Sequence, residues 1–311
     1  MLPYIRTARP DHWFKNIFVL PGAAVGLLIG TNSFGEVWLN VLLALFVASL
    51  AASANYTINE LVDAETDKHH PTKRDRPIPQ GLVSPRLAIL QAVVLAAAAI
   101  SIAITLGQQF AVTIAIFLLL GLIYNVRPLR AKDRVYLDVV VESANNAVRV
   151  TLGWAVVIPE AIPPASLVFA FWFGGAYLMV VKRYAEYRAL GDPEIARQYR
   201  RSFGNYTEST LLLSALFYAM NSAFFIGIFL IKYRIEFLLT FPLLALVFSW
   251  YLAIGMQPNS VAQTPELLYR HRTFLVYILL VTVCFSFLSV FDIPGLHFLL
   301  EPSFAWQALK F

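Results

Sequence analysis

Three properties of the sequence predict an all-α polytopic membrane protein with nine transmembrane helices. Of its 311 residues, 59% are hydrophobic and 14% charged, and the mean hydropathy is +0.65. A soluble globular domain carries roughly 25% charged residues, so most of this surface faces something other than water. The apolar residues fall in blocks of about 17–25, which as helices match a hydrocarbon core of roughly 30 Å. The basic residues collect in alternate connections between those blocks.

The blocks place spans at about 14–30, 36–64, 85–106, 108–124, 135–157, 164–187, 208–231, 236–254 and 272–291. Residues 1–311 thus read as one transmembrane domain. Ahead of the first span, Arg9-Pro10-Asp11-His12-Trp13-Phe14-Lys15-Asn16 delays the apolar run, and no small-residue cleavage site follows a short apolar core. No cleavable signal is therefore expected, and Pro3 to Arg9 reads as an interfacial lead-in. Cys284, the sole cysteine, lies in the last span and fills core or lipid-facing space. Trp13, Phe14, Trp172 and Phe173 are expected in interfacial belts or in packing.

The N-terminus and the loops after even-numbered spans hold 20 of the 24 Lys and Arg. They are Arg6, Arg9 and Lys15; Lys68, Lys73, Arg74, Arg76 and Arg86; Arg127, Arg130, Lys132 and Arg134; Lys182, Arg183, Arg188, Arg197, Arg200 and Arg201; and Arg270 and Arg272. The opposite side has Lys232, Arg234 and Lys310, and Arg149 lies inside a span. The positive-inside rule then predicts a multi-pass protein of the cell (inner) membrane, with the N-terminus and the basic loops cytoplasmic and the C-terminus outside. Anchoring to anionic lipid explains basic loops in general. These loops also collect carboxylates, among them Asp63, Glu65, Asp67, Asp75, Asp133 and Glu186. A polyanionic substrate held through a metal requires both signs together; nothing points to nucleic acid.

Asn55, Asn59, Asp63 and Asp67 end the second span at intervals of four. On a helix each step drifts about 40°, so the four share a face. A carboxylate at mid-membrane costs about 2.5–3.5 kcal/mol, so this face is expected to meet a polar cavity. Two carboxylates and the Asn59 amide oxygen suit Mg2+, a hard cation usually held by a few protein oxygens and substrate phosphates. A helix end fraying into a charged loop explains Glu65 and Asp67 but not the register of the other three. The following loop, Lys68-His69-His70-Pro71-Thr72-Lys73-Arg74-Asp75-Arg76-Pro77-Ile78-Pro79, places Lys73, Arg74 and Arg76 where they suit phosphate oxygens. The adjacent His69 and His70 point in different directions and read as loop residues.

Within the fifth span Asp138, Glu142, Asn145 and Arg149 follow one face. Arg149 either binds an acceptor phosphate or pairs with Glu142 or Asp138, since it is too costly to face lipid. Lys15 and Asn16 are acceptor candidates or snorkelling residues. Arg197 to Arg201 read as the solvated face of a short cytoplasmic helix.

Asn-x-x-x-Asp-x-x-x-Asp at a helix end, followed by Lys73-Arg74-x-Arg76-Pro77 in a nine-span chain, resembles the UbiA superfamily of intramembrane prenyltransferases. The resemblance spans essentially the whole chain. It implies helices ringed around a central cavity open to lipid, and a prenyl diphosphate held through two Asp-rich motifs and Mg2+. The second motif departs from that pattern: in place of an aspartate pair stands Lys182-Arg183-Tyr184-Ala185-Glu186. Together with Arg9-Pro10-x-x-Trp13-x-Lys15-Asn16, His70-Pro71-Thr72-Lys73-Arg74-x-Arg76-Pro77-Ile78 and Tyr206-Thr207, this resembles the decaprenyl-phosphate phosphoribosyltransferase branch. Asp138 and Arg149 fall where that branch carries an acid and an arginine.

The branch resemblance implies 5-phosphoribosyl 1-diphosphate as donor, a polyprenyl phosphate as acceptor, and a product feeding lipid-linked pentose and cell-envelope glycan synthesis. Asn59, Asp63 and Asp67 would then hold Mg2+ as the catalytic group. The Lys73–Arg76 cluster or Lys182, Arg183 and Tyr184 would hold donor phosphates, with Glu186 on metal or ribose and Asn55 lining the site. The acceptor phosphate is already anionic and needs no strong general base. Two other readings are an aromatic prenyltransferase of quinone or haem synthesis, which predicts the missing aspartate pair, and a transporter, which predicts broken helices at mid-membrane. Membrane lipids are the expected surroundings, and a homo-oligomer is compatible with the sequence.

Overall fold

The structure, a computed structural model, describes residues 2–68 and 73–300. His69, His70, Pro71, Thr72 and Lys310 of the sequence analysis lie outside the described residues. In chain order the α-helices are α1 (Leu2–Ala8), α2 (Val19–Ile29), α3 (Phe34–Asp67), α4 (Pro85–Thr105), α5 (Gln108–Asn125) and α6 (Leu137–Ala155). Then follow α7 (Ala165–Leu190), α8 (Pro193–Tyr199), α9 (Glu208–Tyr233), α10 (Phe241–Gly255) and α11 (Arg272–Val290). Short 3-10 segments link several of them.

Among the described residues, eight helical segments are long and apolar enough to cross a membrane. The ninth, α6, has the length but carries Asp138, Glu142 and Arg149. It tolerates them because it is interior: it packs against α2, α3, α5 and α7, and Asp138 and Arg149 are buried. The first span begins earlier than its apolar run. Residues 2–29 form one helical segment, in which the residues read as an interfacial lead-in form α1 and pack on α3. Arg9 adopts a left-handed φ of 50° and Pro10 follows it, so the chain breaks there and winds through Pro10–Phe18 as a 3-10 helix. The eighth span likewise starts as the 3-10 segment Ile235–Thr240 before Pro242 opens α10.

Helix α3 positions the polar site. Glu36 closes a capping box at its start, its Oε2 accepting from Ser33 N at 2.7 Å. At 34 residues it extends about 51 Å, well beyond a hydrocarbon core of roughly 30 Å. Its last turns, carrying Asn59 to Asp67, therefore emerge at the basic end of the molecule.

Helices α2 and α6 cross so closely that only hydrogen fits at two positions. A Cβ on Gly22 would sit 1.9 Å from Val150 O, and one on Gly153 would sit 1.8 Å from Val19 O. Both obstacles are backbone, so no side-chain rotation relieves them. Gly153→Ala should separate the helices and destabilise the fold by about 1–3 kcal/mol, as overpacked sites do. A thermal midpoint in detergent equal to wild type would refute this contact.

Candidate active site

Along the last turns of α3, each predicted residue meets a different neighbour. Asn55 donates Nδ2 to Phe117 O at 3.0 Å and packs over Gly121, where a Cβ would lie 2.1 Å from it. It thus serves the α3–α5 contact. Asn59 donates its amide N–H to Asn125 Oδ1, leaving its own oxygen as an available ligand. Asp63 accepts from Arg130 Nη2 at 2.8 Å and from Lys132 Nζ at 2.7 and 2.6 Å on its two oxygens. Asp67 accepts from Arg76 Nη1 at 2.7 Å and has Lys73 Nζ at 3.9 Å. Glu60, two turns before Asp67 and buried, accepts from Ile78 N at 2.8 Å and so pins the Lys73-containing loop to α3.

Asp63 and Asp67 open onto a cavity of about 660 Å³ at the basic end, whose wall does not include Asn55 or Asn59. Asp63, Asp67 and Asp133 supply three carboxylates to its wall; Lys73, Arg130, Lys132, Arg197, Arg200 and Arg201 supply six cations. The surplus of positive charge suits it to an anion. Burial pulls the Lys73 ammonium down to about 8, with Asp67 opposing the shift. Lys132 is lowered by burial too, in spite of Asp63. Arg200 Nε is buried and without a hydrogen-bond partner among the described residues. A bound polyanion would relieve all three.

Arg183 builds a second constellation beside the cavity. It lies 3% exposed between Asp138 Oδ2 at 3.4 Å and Glu186 Oε2 at 3.1 Å. Asp138, fully buried, also accepts from Ser202 Oγ at 3.1 Å and Tyr206 Oη at 2.8 Å. Burial and the Asp138 charge hold the Tyr206 phenol far above its usual range. Lys182 Nζ is 3.9 Å from Glu186. Tyr184 is buried and its hydroxyl accepts from Arg188 at 3.3 Å. None of Lys182, Arg183, Tyr184 and Glu186 lines the large cavity, and neither does the exposed Arg74.

Arg149 makes neither of the ion pairs considered for it among the described residues. Its Nε donates to Asn16 Oδ1 at 2.9 Å, its Nη1 to Asn146 Oδ1 at 3.4 Å, and its guanidinium lies 5.1 Å over the Phe117 ring. Asn16 in turn donates to Ser49 Oγ at 2.9 Å. Asp138 lies three turns before Arg149 on the same helix, about 16 Å along its axis, so it does not reach the guanidinium and pairs with Arg183 instead. Lys15 is half-buried near this group.

Sequence reasoning passed over the partners of Asp63 and the arginines opposite. Arg130 and Lys132 registered as topology signals, although the alternation of Arg130, Lys132 and Asp133 within four residues is the mixed-sign pattern that marked the other loop. Arg197 and Arg201 are exposed, as a solvated face requires, but Arg200 is half-buried and Arg200 and Arg201 lie past the end of the short helix. α8 is a short helix capped by Asp192, yet these three side chains line the cavity.

The family model for UbiA prenyltransferases matches residues 19–270. The chain belongs to the UbiA prenyltransferase family. Over 210 residues this UbiA-family chain is 33% identical to a decaprenyl-phosphate phosphoribosyltransferase of Mycolicibacterium smegmatis, covering 67% of this chain and 63% of that protein. It is 32% identical to the Mycobacterium tuberculosis protein of the same description, covering 67% of each. A protoheme IX farnesyltransferase of Pseudomonas savastanoi is 26% identical, with 61% of this chain and 64% of that one covered. The fold matches a UbiA homolog from Archaeoglobus fulgidus solved with GPP and Mg2+, at a TM-score of 0.67 and 20% identity over 93% of this chain and 100% of the other. The protein is therefore a multi-pass membrane protein of this fold.

The fold relative carries Mg2+, so the fit of such an ion here depends on the donor set. Among the described residues no three His, Cys, Asp or Glu cluster as a metal site. One carboxylate, Asp63, and one amide, Asn125, already surround a compact cation. Lys132 Nζ is held by both Asp63 oxygens and, at 3.0 Å, by Asn125 Oδ1. Hard oxygens in this arrangement, with Asn59 and Asp67 a turn to either side, fit Mg2+ in a site completed by substrate phosphates.

Proposed function

We propose that this protein transfers 5-phosphoribose from 5-phosphoribosyl 1-diphosphate to a polyprenyl phosphate. The observation that carries the reading is the cation-dominated cavity around Asp63 and Asp67. A donor with phosphate at both ends needs more positive charge than a prenyl diphosphate, and six cations against three carboxylates supply it. The likeness to the mycobacterial phosphoribosyltransferases supports the same donor and acceptor. We place the site on the cytoplasmic face of the cell membrane, because the basic loops surround it.

In this mechanism Asn59, Asp63 and Asp67 would hold Mg2+, which when bound would neutralise charge on the departing diphosphate. Lys73, Arg76, Arg130 and Lys132 steady the diphosphate oxygens. Arg200, with its unpartnered Nε, and Arg197 reach the 5-phosphate from the other wall. The bond from the anomeric carbon to diphosphate breaks with its electron pair leaving on diphosphate. An acceptor phosphate oxygen forms the new bond to that carbon from the opposite face. The acceptor arrives as an anion, so no side chain has to remove a proton.

The buried Asp138–Arg183–Glu186 group favours this donor over an aromatic prenyltransferase reading, since among the described residues no second free carboxylate pair faces the cavity. The farnesyltransferase likeness favours the alternative. Purified protein in detergent with Mg2+, radiolabelled phosphoribosyl diphosphate and decaprenyl phosphate should yield labelled lipid on extraction. No labelled lipid, with turnover of a prenyl diphosphate and 4-hydroxybenzoate or haem instead, would replace the reading.

A further inference from the structure

A second, smaller cavity of about 370 Å³ adjoins the first and shares Thr66, Arg130 and Arg201 with it. Val62, Val126 and Arg127 complete its wall. Arg130 forms the partition: one side of its guanidinium bonds Asp63 and the other Asp133, each at 2.8 Å. Arg201 also reaches Asp133, at 3.5 Å. Arg127 is exposed and its side chain makes no hydrogen bond or ion pair among the described residues. Arg130 and Arg201 thus share Asp133, with Arg130 reaching Asp63 as well, and Arg127 has no carboxylate partner among the described residues.

The approach to this pocket is apolar. Val112, Ile116, Leu119 and Leu122 are exposed along α5 and share one helical face, which continues to Val126 in the pocket wall. Val62 exposes the facing side of α3. An apolar track one helix long that ends at the unpaired Arg127, beside Arg201, fits a long-chain lipid with a terminal phosphomonoester. The tail would lie on α5 and the phosphate on Arg127 and Arg201.

We infer that the Arg127–Arg130–Arg201 pocket is where the polyprenyl phosphate acceptor docks, approaching along the exposed face of α5, with Arg130 separating its phosphate from the donor. This rests on the phosphoribosyl-transfer reading and deepens it. It also gives the Arg149–Asn16 pair, which is internally satisfied, no acceptor to bind.

The test compares Arg127→Ala with Arg86→Ala, which removes an exposed cation at the same end but outside the pocket. Loss of one charge-assisted contact should raise the KM for decaprenyl phosphate about tenfold in Arg127→Ala, with the KM for phosphoribosyl diphosphate within about twofold. Arg86→Ala should match wild type. Equal effects of the two variants, or a parallel rise in the donor KM, would overturn the inference. Native mass spectrometry of decaprenyl phosphate on both proteins without donor decides the matter even if wild type proves inactive with phosphoribosyl diphosphate. Retention by wild type and loss in Arg127→Ala supports the site; equal retention, or equal displacement by inorganic phosphate or phosphatidylglycerol, refutes it.

Discussion

Asp67→Asn and Asp63→Asn should each lower kcat by about a thousandfold or more, the scale on which a metal-dependent group transfer loses its charge stabilisation. The substitution keeps the side-chain shape and removes one negative charge from a wall already rich in cations. Simple electrostatics therefore predicts donor binding as tight as before, or tighter. A defect confined to kcat, with the donor KM unchanged or lowered, is the mark of a lost metal rather than of lost substrate attraction. Lys132→Met should do the opposite and raise the donor KM, because it removes a cation that faces the same anion. Asp63→Asn also leaves Arg130 and Lys132 without their carboxylate, so the cleaner variant is Asp67→Asn, whose partner Arg76 is more exposed. Full activity of Asp67→Asn in a monodisperse protein would remove it from the metal site.

Much of this arrangement could be read from the sequence, and the remainder could not for identifiable reasons. Apolar block length placed all nine spans and the alternation of charge supported that count; α6, whose interior position lets it carry Asp138 and Arg149, is the one that is not apolar enough to cross by composition alone. The four-residue spacing of Asn59, Asp63 and Asp67 fixed their common face before any tertiary contact was known. Local periodicity carries no information about what that face meets. Lys132 lies 69 residues beyond Asp63, and Asn16 lies 133 before Arg149, so both pairings come from helix packing. Asn55 shows the same limit from the other side. Its register matches Asn59, yet the missing Cβ of Gly121 lets α5 approach and take its amide. The start of the first span was hidden by Arg9 and Pro10, which interrupt apolar periodicity without ending the helical path.

Removing the Arg183 guanidinium should be the most destabilising single change at this end of the molecule. Arg183→Met keeps the volume but leaves Asp138 and Glu186 buried with no cation between them. Breaking one side of a buried ion pair commonly costs about 3–5 kcal/mol. Arg183→Lys should recover little, because a single ammonium cannot reproduce the planar fork that meets two carboxylates at 3.4 and 3.1 Å. Asp138→Asn alone leaves an amide that can still meet Ser202 and Tyr206, so combining it with Arg183→Met should restore part of the lost stability. The effect is not confined to stability. Ser202 and Tyr206 bond Asp138 from the segment immediately after Arg200 and Arg201, so the same carboxylate that neutralises Arg183 also anchors the cavity's arginine wall. Arg183→Met should therefore lower the thermal midpoint and, in whatever protein remains folded, raise the KM for phosphoribosyl diphosphate. A lower midpoint with an unchanged donor KM would make Arg183 a purely structural residue. An unchanged midpoint would mean that Asp138 and Glu186 find protons or other partners in its absence.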